Sequence, residues 1–339
     1  MKIDHHKHFV LGGFTVSKPY IFITREIPNH ALELLKESFE VGMWNEDRPI
    51  PREVLLAEAK RAEGLLIMLT ERIDQELLDA APNLKAISIM AVGYDNIDLS
   101  LATERGIFVM NTPGVLSNAT ADLTFGLLMA TGRRIAEANQ YLLDGKWIGW
   151  GPMLMAGQEI YGSTIGIIGM GRIGEAVAKR ATGFDMKILY HNRNRKPEVE
   201  EALGAEYRSL DDLLQESDFI VMLTPLTPET ENLIGKREFE LMKETAVFVN
   251  VSRGATIDEE ALYEALVNKK IWAAGLDVFR QEPVPMDNPL LKLDNVVAIP
   301  HIGSASIQTR TKMAVMAAQG LKDALENKKP EFVVNKELL

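Results

Sequence analysis

Cysteine is absent from this 339-residue sequence, and its absence removes several kinds of chemistry at once. Disulfide bonds, thiolate nucleophiles and cysteine-ligated zinc are excluded, and the composition fits a reducing compartment, so we expect a cytoplasmic protein. No stretch reaches the roughly 18 to 20 uninterrupted apolar residues that a membrane span requires. Acidic residues outnumber Lys and Arg, 48 to 37, and the net charge of −11 argues against nucleic acids and anionic membranes as partners.

What remains is the composition of a globular protein of about two domains, at roughly 150 residues per domain. Hydrophobic residues make up 46% of the chain and charged residues 25%, which provides enough apolar surface to exclude intrinsic disorder. Residues 1–18 stand apart, because three of the six histidines and a glycine pair fall there without the apolar core of a signal peptide. We interpret them as an expression tag or a disordered extension rather than a metal site.

From residue 19 onward, short apolar runs alternate with stretches of helical periodicity, which is typical of parallel βαβ units. The first part has the predicted strands YIFIT (20–24), GLLIML (64–69), LKAISIM (84–90) and IFVMN (107–111). The second has TIGIIG (164–169), KILYH (187–191), FIVML (219–223), AVFVN (246–250), AAGLDV (273–278) and VVAIP (296–300), which make a full doubly wound sheet. A proline-free run predicts one long helix over 118–145, and 304–327 predicts a last helix that is free to return to the first part.

A glycine-rich turn follows the first strand of the second part and precedes a helical stretch. Gly169-Met170-Gly171-Arg172-Ile173-Gly174 matches G-x-G-x-x-G in the context that favours dinucleotide binding. The first glycine permits the tight turn, the second lets the backbone approach a pyrophosphate, and the third lets the helix pack closely against the strand. The helix N-terminus then offers free N–H groups and a positive dipole end to the anion.

The end of the next strand indicates which dinucleotide is preferred. NAD sites usually carry an acidic residue there, about 20 residues after the glycines, which binds the ribose 2′-hydroxyl. Here the chain reads Tyr190-His191-Asn192-Arg193-Asn194-Arg195-Lys196, with no carboxylate before Glu198. Because Arg193 and Arg195 would attract a 2′-phosphate through charge-assisted bonds, we predict NADP(H) in preference to NAD(H). The alternative interpretation is a solvated basic turn.

Three polar residues follow predicted strands farther along the chain. Arg253 lies in VNVSRG, Glu282 in GLDVFRQEP and His301 in IPHIGSAS. Singly, each has an ordinary structural interpretation, as a surface charge, a turn cap and an interfacial histidine. Together they fall where parallel strands end, which is where ligands bind in open α/β sheets.

In that order, and with spacings of 282 − 253 = 29 and 301 − 282 = 19 residues, this set resembles the D-isomer-specific 2-hydroxy-acid dehydrogenase family. The resemblance runs from about Lys18 to Val334 and includes VGYDNID (92–98), TPLTPET (224–230), VNVSRG, GLDVF and PHIGSAS. Within the family the chain looks most like the glyoxylate/hydroxypyruvate reductases, particularly the archaeal type, because of its basic HNRNRK turn and its Trp150-Gly151-Pro152 segment.

The resemblance implies roles in the NAD(P)H-dependent reduction of a small 2-oxo acid. His301 would exchange a proton with the carbonyl oxygen, and Glu282 would orient the imidazole and favour its protonated form. Arg253 would bind and polarise the substrate, and the backbone N–H groups of Val92 and Gly93 would hold its carboxylate. Leu69 would shape the pocket for the substrate tail, and no metal is implied. The implied cofactor contacts are the six residues of the glycine-rich turn with Asn192, Arg193, Asn194, Arg195, Thr224, Pro225, Val251, Ser252, Arg253, Asp277, His301 and Gly303, of which Asp277 would accept a hydrogen bond from the nicotinamide carboxamide.

The resemblance also implies an architecture of two Rossmann-like or flavodoxin-like parallel-sheet α/β domains. An NAD(P)-binding domain, 119–300, would be inserted into a substrate domain formed by 19–118 and 301–335. The active site would lie in the cleft between them, and closure would exclude water. A homodimer through the cofactor domains is implied, with the helix 119–144 and the loop 147–152 as its arm. Trp150 would then reach the substrate site of the partner; the alternative interpretation is an ordinary surface or core tryptophan.

Two questions stay open from the sequence. Glyoxylate, hydroxypyruvate and 2-ketogluconate share a head group, so the motifs do not choose among these or other D-2-hydroxy-acid substrates. A non-enzymatic alternative is a dinucleotide-sensing, corepressor-like protein, since such proteins keep much of the Arg–Glu–His set, although the long polar tails that they usually carry are missing from this sequence.

Overall fold

The computed structural model of this chain describes residues 18–339, so the predicted N-terminal extension lies outside the described residues except for Lys18. The strands are β1 (Tyr20–Ile23), β2 (Glu40–Met43), β3 (Gly64–Ile67), β4 (Ala86–Ile89), β5 (Phe108–Met110), β6 (Thr164–Ile168), β7 (Lys187–His191), β8 (Glu206–Tyr207), β9 (Phe219–Met222), β10 (Val247–Asn250), β11 (Ala273–Leu276) and β12 (Val296–Ala298). The helices are α1 (Asn29–Lys36), α2 (Arg52–Ala59), α3 (Gln75–Ala80), α4 (Leu99–Glu104), α5 (Ser117–Gly132), α6 (Ile135–Leu143), α7 (Arg172–Ala181), α8 (Pro197–Leu203), α9 (Leu210–Glu216), α10 (Lys236–Leu241), α11 (Glu259–Val267) and α12 (Ile307–Leu325).

These elements form two compact units: the described residues up to Val115 together with Ile307–Leu339, and Leu116–Ser306. All strand pairings in both sheets are parallel. Within 18–339, no helix is long and apolar enough to cross a membrane.

The first unit has a five-stranded sheet in the order β2-β1-β3-β4-β5, which is the flavodoxin-like order. Strand β3 is buried on both faces of this sheet: Leu65 and Ile67 pack under α2, α3 and α4, and Leu66 packs under α1 and α12. Such two-sided burial requires continuous apolar runs rather than alternation. The sequence-remote helix α12 is thus part of this unit's core.

The second unit has a seven-stranded sheet in the order β12-β11-β10-β9-β6-β7-β8, the Rossmann order extended by one strand. Helices α5 and α7 cover one face, and α9, α10 and α11 cover the other. The order reverses at β6 and β9, so the loops after these strands diverge at their carboxyl ends. The predicted fold class, two doubly wound parallel α/β sheets, is confirmed.

Two short edge strands were missed, β2 and β8. Their residues are exposed or half-buried, and β8 has only two residues, so neither shows the apolar run of a central strand. The second sheet therefore has seven strands where six were predicted.

The prediction of one long helix over 118–145 was wrong, because the chain forms α5 and α6 with a break between them. Arg134 adopts a left-handed conformation with φ of 55°. The carbonyl oxygen of Gly132, which a continuous helix would use internally, accepts a hydrogen bond from the Gln158 N–H at 2.8 Å. A Cβ on Gly157 would lie 2.3 Å from that oxygen, so the returning segment packs directly on the helix end. A contact 25 residues away along the chain (157 − 132 = 25) therefore ends α5.

Candidate active site

The glycine-rich turn between β6 and α7 has the shape that a dinucleotide pyrophosphate requires. Gly169 has φ of +104°, and a Cβ there would lie 2.8 Å from the carbonyl carbon of Leu223. A Cβ on Gly174 would lie 2.4 Å from the carbonyl oxygen of Gly169, so α7 packs directly on the turn. A Cβ on Gly171 would meet nothing within 4 Å. The turn therefore has an open side at the N-terminus of α7, where backbone N–H groups without helical partners can bind phosphate.

The other residues of this turn differ in exposure. Met170 is buried and anchors the turn to the core, Ile173 is half-buried, and Arg172 is exposed. Thr224 and Pro225, in the loop after β9, follow the backbone of Leu223 that packs against Gly169. The predicted turn residues and the loop after β9 thus meet at the point where the strand order reverses.

The loop after β7 carries the residues that were predicted to select the cofactor. Oδ1 of Asn192 accepts a hydrogen bond from the Met170 N–H at 3.2 Å, so this loop is joined to the glycine-rich turn. Arg193 and Asn194 are exposed. Arg195 is held by Glu200, with Nη2 2.7 Å from Oε2 and Nε 3.1 Å from Oε1.

Glu200 was not among the predicted site residues. It lies one turn inside α8, on the side of the loop that faces Arg195, and it also accepts a hydrogen bond from the Tyr190 hydroxyl at 2.6 Å. The hydrogen bond from Arg195, followed by that from Tyr190, holds the pKa of the Glu200 carboxyl below its usual range. The basic loop therefore carries its own counter-charge.

Arg253 lies directly after β10 on a loop that Asn250 organises. Asn250 is fully buried, its Nδ2 donates to the carbonyl oxygen of Arg253 at 3.1 Å, and its Oδ1 accepts from the Ser252 N–H at 3.0 Å. Ser252 and Val251 are buried beside it, and Nη1 of Arg253 donates to the Ser252 carbonyl oxygen at 2.8 Å. Asn250 was not predicted, although a polar residue at the end of an otherwise apolar strand was a usable signal.

Gly254 brings this loop against the segment that leads to Glu282. A Cβ on Gly254 would lie 1.9 Å from the carbonyl carbon of Phe279 and 2.1 Å from the backbone nitrogen of Arg280. Only glycine allows so close an approach of two backbones. The arginine loop and the glutamate loop are consequently fixed relative to each other by backbone packing.

Asp277, at the end of β11, is 1% exposed and holds the loop that carries the histidine. Its Oδ1 accepts from the Ile302 N–H at 2.6 Å, and its Oδ2 accepts from the Gly303 N–H at 2.9 Å. Burial raises the pKa of Asp277 to about 6, although these N–H groups and the charge of His301 act in the opposite direction.

His301 and Glu282 form the central pair of the site. Nδ1 of His301 lies 2.7 Å from Oε2 of Glu282, and the two side chains are 30% and 36% exposed. Oε1 of Glu282 accepts a second hydrogen bond, from the Phe279 N–H at 3.0 Å. With Nδ1 engaged, the ring presents Nε2 as the nitrogen that is available to a substrate.

The charge state of Glu282 follows from its neighbours. Burial alone raises the pKa of its carboxyl, but the hydrogen bond and charge of His301 outweigh that effect. The Phe279 N–H and the charge of Arg253 act in the same direction, so the pKa of Glu282 is held below its usual range. Glu282 is therefore a carboxylate at neutral pH and can orient and stabilise a protonated imidazole.

The backbone of His301 is constrained as well. Its φ of 49° is in the left-handed region, which non-glycine residues rarely adopt. Its N–H donates to the carbonyl oxygen of Asp277 at 2.8 Å. Strained conformations of this kind persist where surrounding hydrogen bonds impose them, and they cluster at functional sites.

The first unit carries the remaining predicted substrate contacts. Val92 is partly exposed, its carbonyl oxygen accepts from Asn111 Nδ2 at 2.8 Å, and the adjacent Ala91 carbonyl oxygen accepts from the Thr112 N–H at 2.8 Å. Among residues 18–339, the N–H groups of Val92 and Gly93 donate to no other group. They are thus available as donors, while Leu69 lies half-buried after β3.

Trp150 is not part of the cluster formed by the loops after the strands. It lies in the loop after α6 and is 85% exposed. The described part of the chain contains no group of three or more acidic, histidine or cysteine side chains that could hold a metal ion.

Comparisons with known proteins give a family match and several relatives. The family model described as D-isomer specific 2-hydroxyacid dehydrogenase, NAD binding domain, matches residues 125–303. The glyoxylate reductase of Thermococcus gammatolerans is 51% identical over 326 residues, which cover 95% of this chain and 97% of that protein. The glyoxylate reductase of Korarchaeum cryptofilum is 50% identical over 323 residues, 95% of this chain and 97% of that protein.

Among solved structures, the chain is similar to the NADPH-dependent glyoxylate/hydroxypyruvate reductase of Sinorhizobium meliloti in complex with NADP and malonate. The TM-score is 0.80 at 32% identity, and the match covers 94% of this chain and 97% of the other. The family model spans more than half of the chain, and the relatives match it almost from end to end at about one residue in two. The chain therefore belongs to the D-isomer specific 2-hydroxyacid dehydrogenase family.

Proposed function

We propose that this protein reduces glyoxylate or hydroxypyruvate to the 2-hydroxy acid, with a nicotinamide dinucleotide as the reductant. The observation that carries the proposal is the 2.7 Å contact between Nδ1 of His301 and Oε2 of Glu282. This contact holds His301, the proposed proton donor, in place after β12. Relatives that are about 50% identical and named glyoxylate reductase support the choice of substrate.

His301 is the proposed general acid. When a 2-oxo acid is reduced, the carbonyl carbon receives a hydride and the carbonyl oxygen takes up a proton, and a bound nicotinamide supplies the hydride. Nε2 of His301 donates that proton, and the Glu282 carboxylate stabilises the imidazolium until it does. In the oxidative direction the neutral ring accepts the proton from the hydroxyl group.

Arg253 is the proposed substrate-binding and polarising residue. A guanidinium can bind a carboxylate and an adjacent carbonyl oxygen through separate N–H groups. As negative charge develops on the carbonyl oxygen, that interaction strengthens, so Arg253 acts on both binding and the transition state. The free N–H groups of Val92 and Gly93 are the proposed second donors to the carboxylate, and Leu69 the proposed contact of the substrate tail.

The Leu116–Ser306 unit is the proposed cofactor-binding domain, and the other unit the proposed substrate domain. The glycine cradle at residues 169–174 fits a pyrophosphate, since its second glycine faces open space. Asp277 keeps one lone pair on each carboxylate oxygen beyond its two backbone bonds, which suits the proposed contact with a carboxamide. We infer that the cofactor's phosphates lie on α7 and its nicotinamide lies toward Asp277 and Gly303.

We further propose that NADP(H) is preferred over NAD(H). Asn192 takes the place at the strand end where an acidic residue would bind a ribose hydroxyl and repel a phosphate. Arg193 is exposed beside it, whereas Arg195 is already paired with Glu200. Arg193 is therefore the stronger candidate for a 2′-phosphate contact, and the Glu200 pair limits what Arg195 can add.

A homodimer is proposed because α6 and the loop after it expose large apolar side chains. No residue of α6 is buried, and Ile148 and Trp150 are 99% and 85% exposed. The exposed set in this region is Ile135, Leu142, Leu143, Trp147, Ile148, Trp150, Met153, Leu154 and Tyr161. Apolar patches of this kind mark interaction surfaces, and a second copy of the chain is the proposed partner. Light scattering should give a dimer for the wild type and a monomer for Ile148→Glu; a wild-type monomer would refute this.

Steady-state kinetics with a panel of 2-oxo acids tests the proposed function. NADPH oxidation should be fastest with glyoxylate or hydroxypyruvate, measured beside 2-ketogluconate and 2-oxobutyrate, and slower with NADH. A preference for 2-ketogluconate would change the substrate, and equal use of NADH would refute the cofactor preference. If no 2-oxo acid is reduced while NADPH binds, the dinucleotide-sensing alternative takes the place of the enzyme.

A further inference from the structure

The Leu69–Thr70 turn after β3 is held at both ends by hydrogen bonds with Glu71 and Asn96, two side chains that the proposed chemistry does not use; we call this pair the clamp. Oε2 of Glu71 accepts from the Met68 N–H at 2.7 Å. Nδ2 of Asn96 donates to the carbonyl oxygens of Met68 and Glu71, at 3.2 and 2.7 Å. The residues that flank the turn are thus held from two directions.

Glu71 ties the turn to the neighbouring strand. Its side chain is 3% exposed, and Oε2 also accepts from the hydroxyl group of Thr24, a fully buried residue just beyond β1, at 2.6 Å. Oε1 accepts from the Thr70 hydroxyl at 2.5 Å. A buried carboxylate that lost these donors would carry a large desolvation cost, so the arrangement is held firmly.

Asn96 ties the same turn to the segment that carries Val92 and Gly93. Its backbone carbonyl oxygen accepts from the Ile73 N–H at 2.9 Å, so its position is fixed by the chain beyond the turn. The amide group therefore sets the distance between the turn with Leu69 and the segment with the free N–H groups.

We propose that Glu71 and Asn96 are positioning residues that fix Leu69 against the substrate tail and so determine how the enzyme ranks 2-oxo acids by tail. The inference rests on the proposed function, because it takes Leu69 as the tail contact. Residues 69–74 and 95–98 line a cavity of about 450 Å³. Leu69 thus has space to move into once the clamp is removed, and a substrate with a tail loses contact with it.

The test compares Asn96→Ala and Glu71→Ala with the wild type on two substrates. Hydroxypyruvate has a hydroxymethyl tail and glyoxylate has none. We expect KM for hydroxypyruvate to rise at least about fivefold and KM for glyoxylate to change less than about twofold, with the Kd of NADPH unchanged. Because both side chains hold one turn, the double variant should be no worse than about the more severe single variant.

Two further variants separate positioning from general destabilisation. Glu71→Gln should keep the wild-type ratio of the KM values for hydroxypyruvate and glyoxylate, since its amide oxygen can still accept from Met68 and Thr24. Asn335→Ala is the matched control: this buried asparagine of the same unit accepts from the Val109 N–H at 3.0 Å and donates to the Ile107 carbonyl oxygen at 2.8 Å, away from the Leu69 turn. It should lower the melting temperature and leave the ratio of the two KM values unchanged.

An equal change in both KM values, or the same shift in Asn335→Ala, would overturn the inference while leaving the proposed function intact. A wild-type enzyme that reduces neither substrate would instead remove the proposed function. If both alanine variants fail to fold, Thr70→Val tests the inference instead. It removes one donor to Glu71 at an exposed position, and it should shift the ratio in the same direction by about twofold; no shift would refute the clamp.

Discussion

Gly171 and Gly174 differ in what surrounds them, so an alanine should have a different effect at each position. We expect it to lower stability at Gly174 and to weaken cofactor binding at Gly171. A Cβ on Gly174 would lie 2.4 Å from the carbonyl oxygen of Gly169, which is 0.6 Å inside the 3.0 Å limit that real contacts respect. The backbone must shift by about that distance, and overpacking of this kind costs about 1–3 kcal/mol. For a unit of this size each kcal/mol lowers Tm by about 2–4 °C, so Gly174→Ala should lose several degrees.

Gly171→Ala should leave the stability of the free protein almost unchanged. No atom lies within 4 Å of the added Cβ, and φ is −87°, which alanine adopts without strain. Alanine at this N-cap costs about 0.5–1 kcal/mol, and the reduced entropy of the unfolded chain offsets about 0.4–1 kcal/mol. The free energy of unfolding should therefore stay within about 0.5 kcal/mol of the wild type.

NADPH binding, in contrast, should be strongly weakened by Gly171→Ala. The methyl group of Gly171→Ala occupies the side of the turn where the pyrophosphate must approach, so the Kd of NADPH should rise at least about 100-fold, equivalent to about 2.8 kcal/mol. The assay is titration calorimetry with NADPH beside thermal unfolding of the free protein. Gly183→Ala is the control, since its Cβ also meets nothing within 4 Å and it lies beyond the C-terminal end of α7. If Gly171→Ala binds NADPH as tightly as the wild type, the turn does not hold the pyrophosphate.

Three further predictions concern the proton donor, the cofactor and pH. His301→Ala should lower kcat by about 10²–10⁴-fold with the Kd of NADPH unchanged, whereas Arg253→Ala should damage both KM and kcat; near-normal turnover of His301→Ala would exclude it as the acid. Glu200→Gln should tighten NADPH binding about threefold or more and leave NADH unchanged, because it releases Arg195, whereas Arg193→Ala should weaken NADPH at least about tenfold; calorimetry with both cofactors decides. Asp277 has its pKa raised to about 6 by burial, so its contribution to stability is present below about pH 4 and is lost as pH rises through 6. Relative to Asp277→Asn, the wild type should therefore lose up to about 3 kcal/mol of unfolding free energy between pH 4 and 7 in urea titrations, and parallel pH profiles of the two proteins would contradict the shift.

Much of the fold could be predicted because parallel strands buried on both faces leave a strong local signal. Strands β3, β6 and β9 are continuous apolar runs, and each prediction fell within a residue or two of the observed strand. Strands β2 and β8 left no such signal, because their sequences, EVGM and EY, contain no continuous apolar run. The glycine spacing of the turn at 169–174 was informative for the same local reason: within six residues, Gly169 and Gly174 each make a close backbone approach and Gly171 leaves one side open.

The break between α5 and α6 could not be predicted, because its cause is remote. The residues 118–145 have good helical composition, and nothing within them requires the left-handed Arg134. The carbonyl oxygen of Gly132 is taken by Gln158, and that hydrogen bond exists only after the chain returns. Local propensity is a weak guide where a tertiary contact competes for the same backbone group.

The residues proposed to react could be predicted from the sequence, whereas the residues that hold them in place could not. Arg253, Glu282 and His301 could be picked out because their order and spacing resemble a family pattern, although each alone has an ordinary structural interpretation. The groups that hold them, such as Asn250 under Arg253, are polar residues whose role appears only with their backbone partners. Each support bonds to main-chain atoms, so its substitution moves a loop rather than removing a reacting group. Variants of the supports should therefore change substrate ranking and KM before they abolish turnover, and this separates them experimentally from the groups that react.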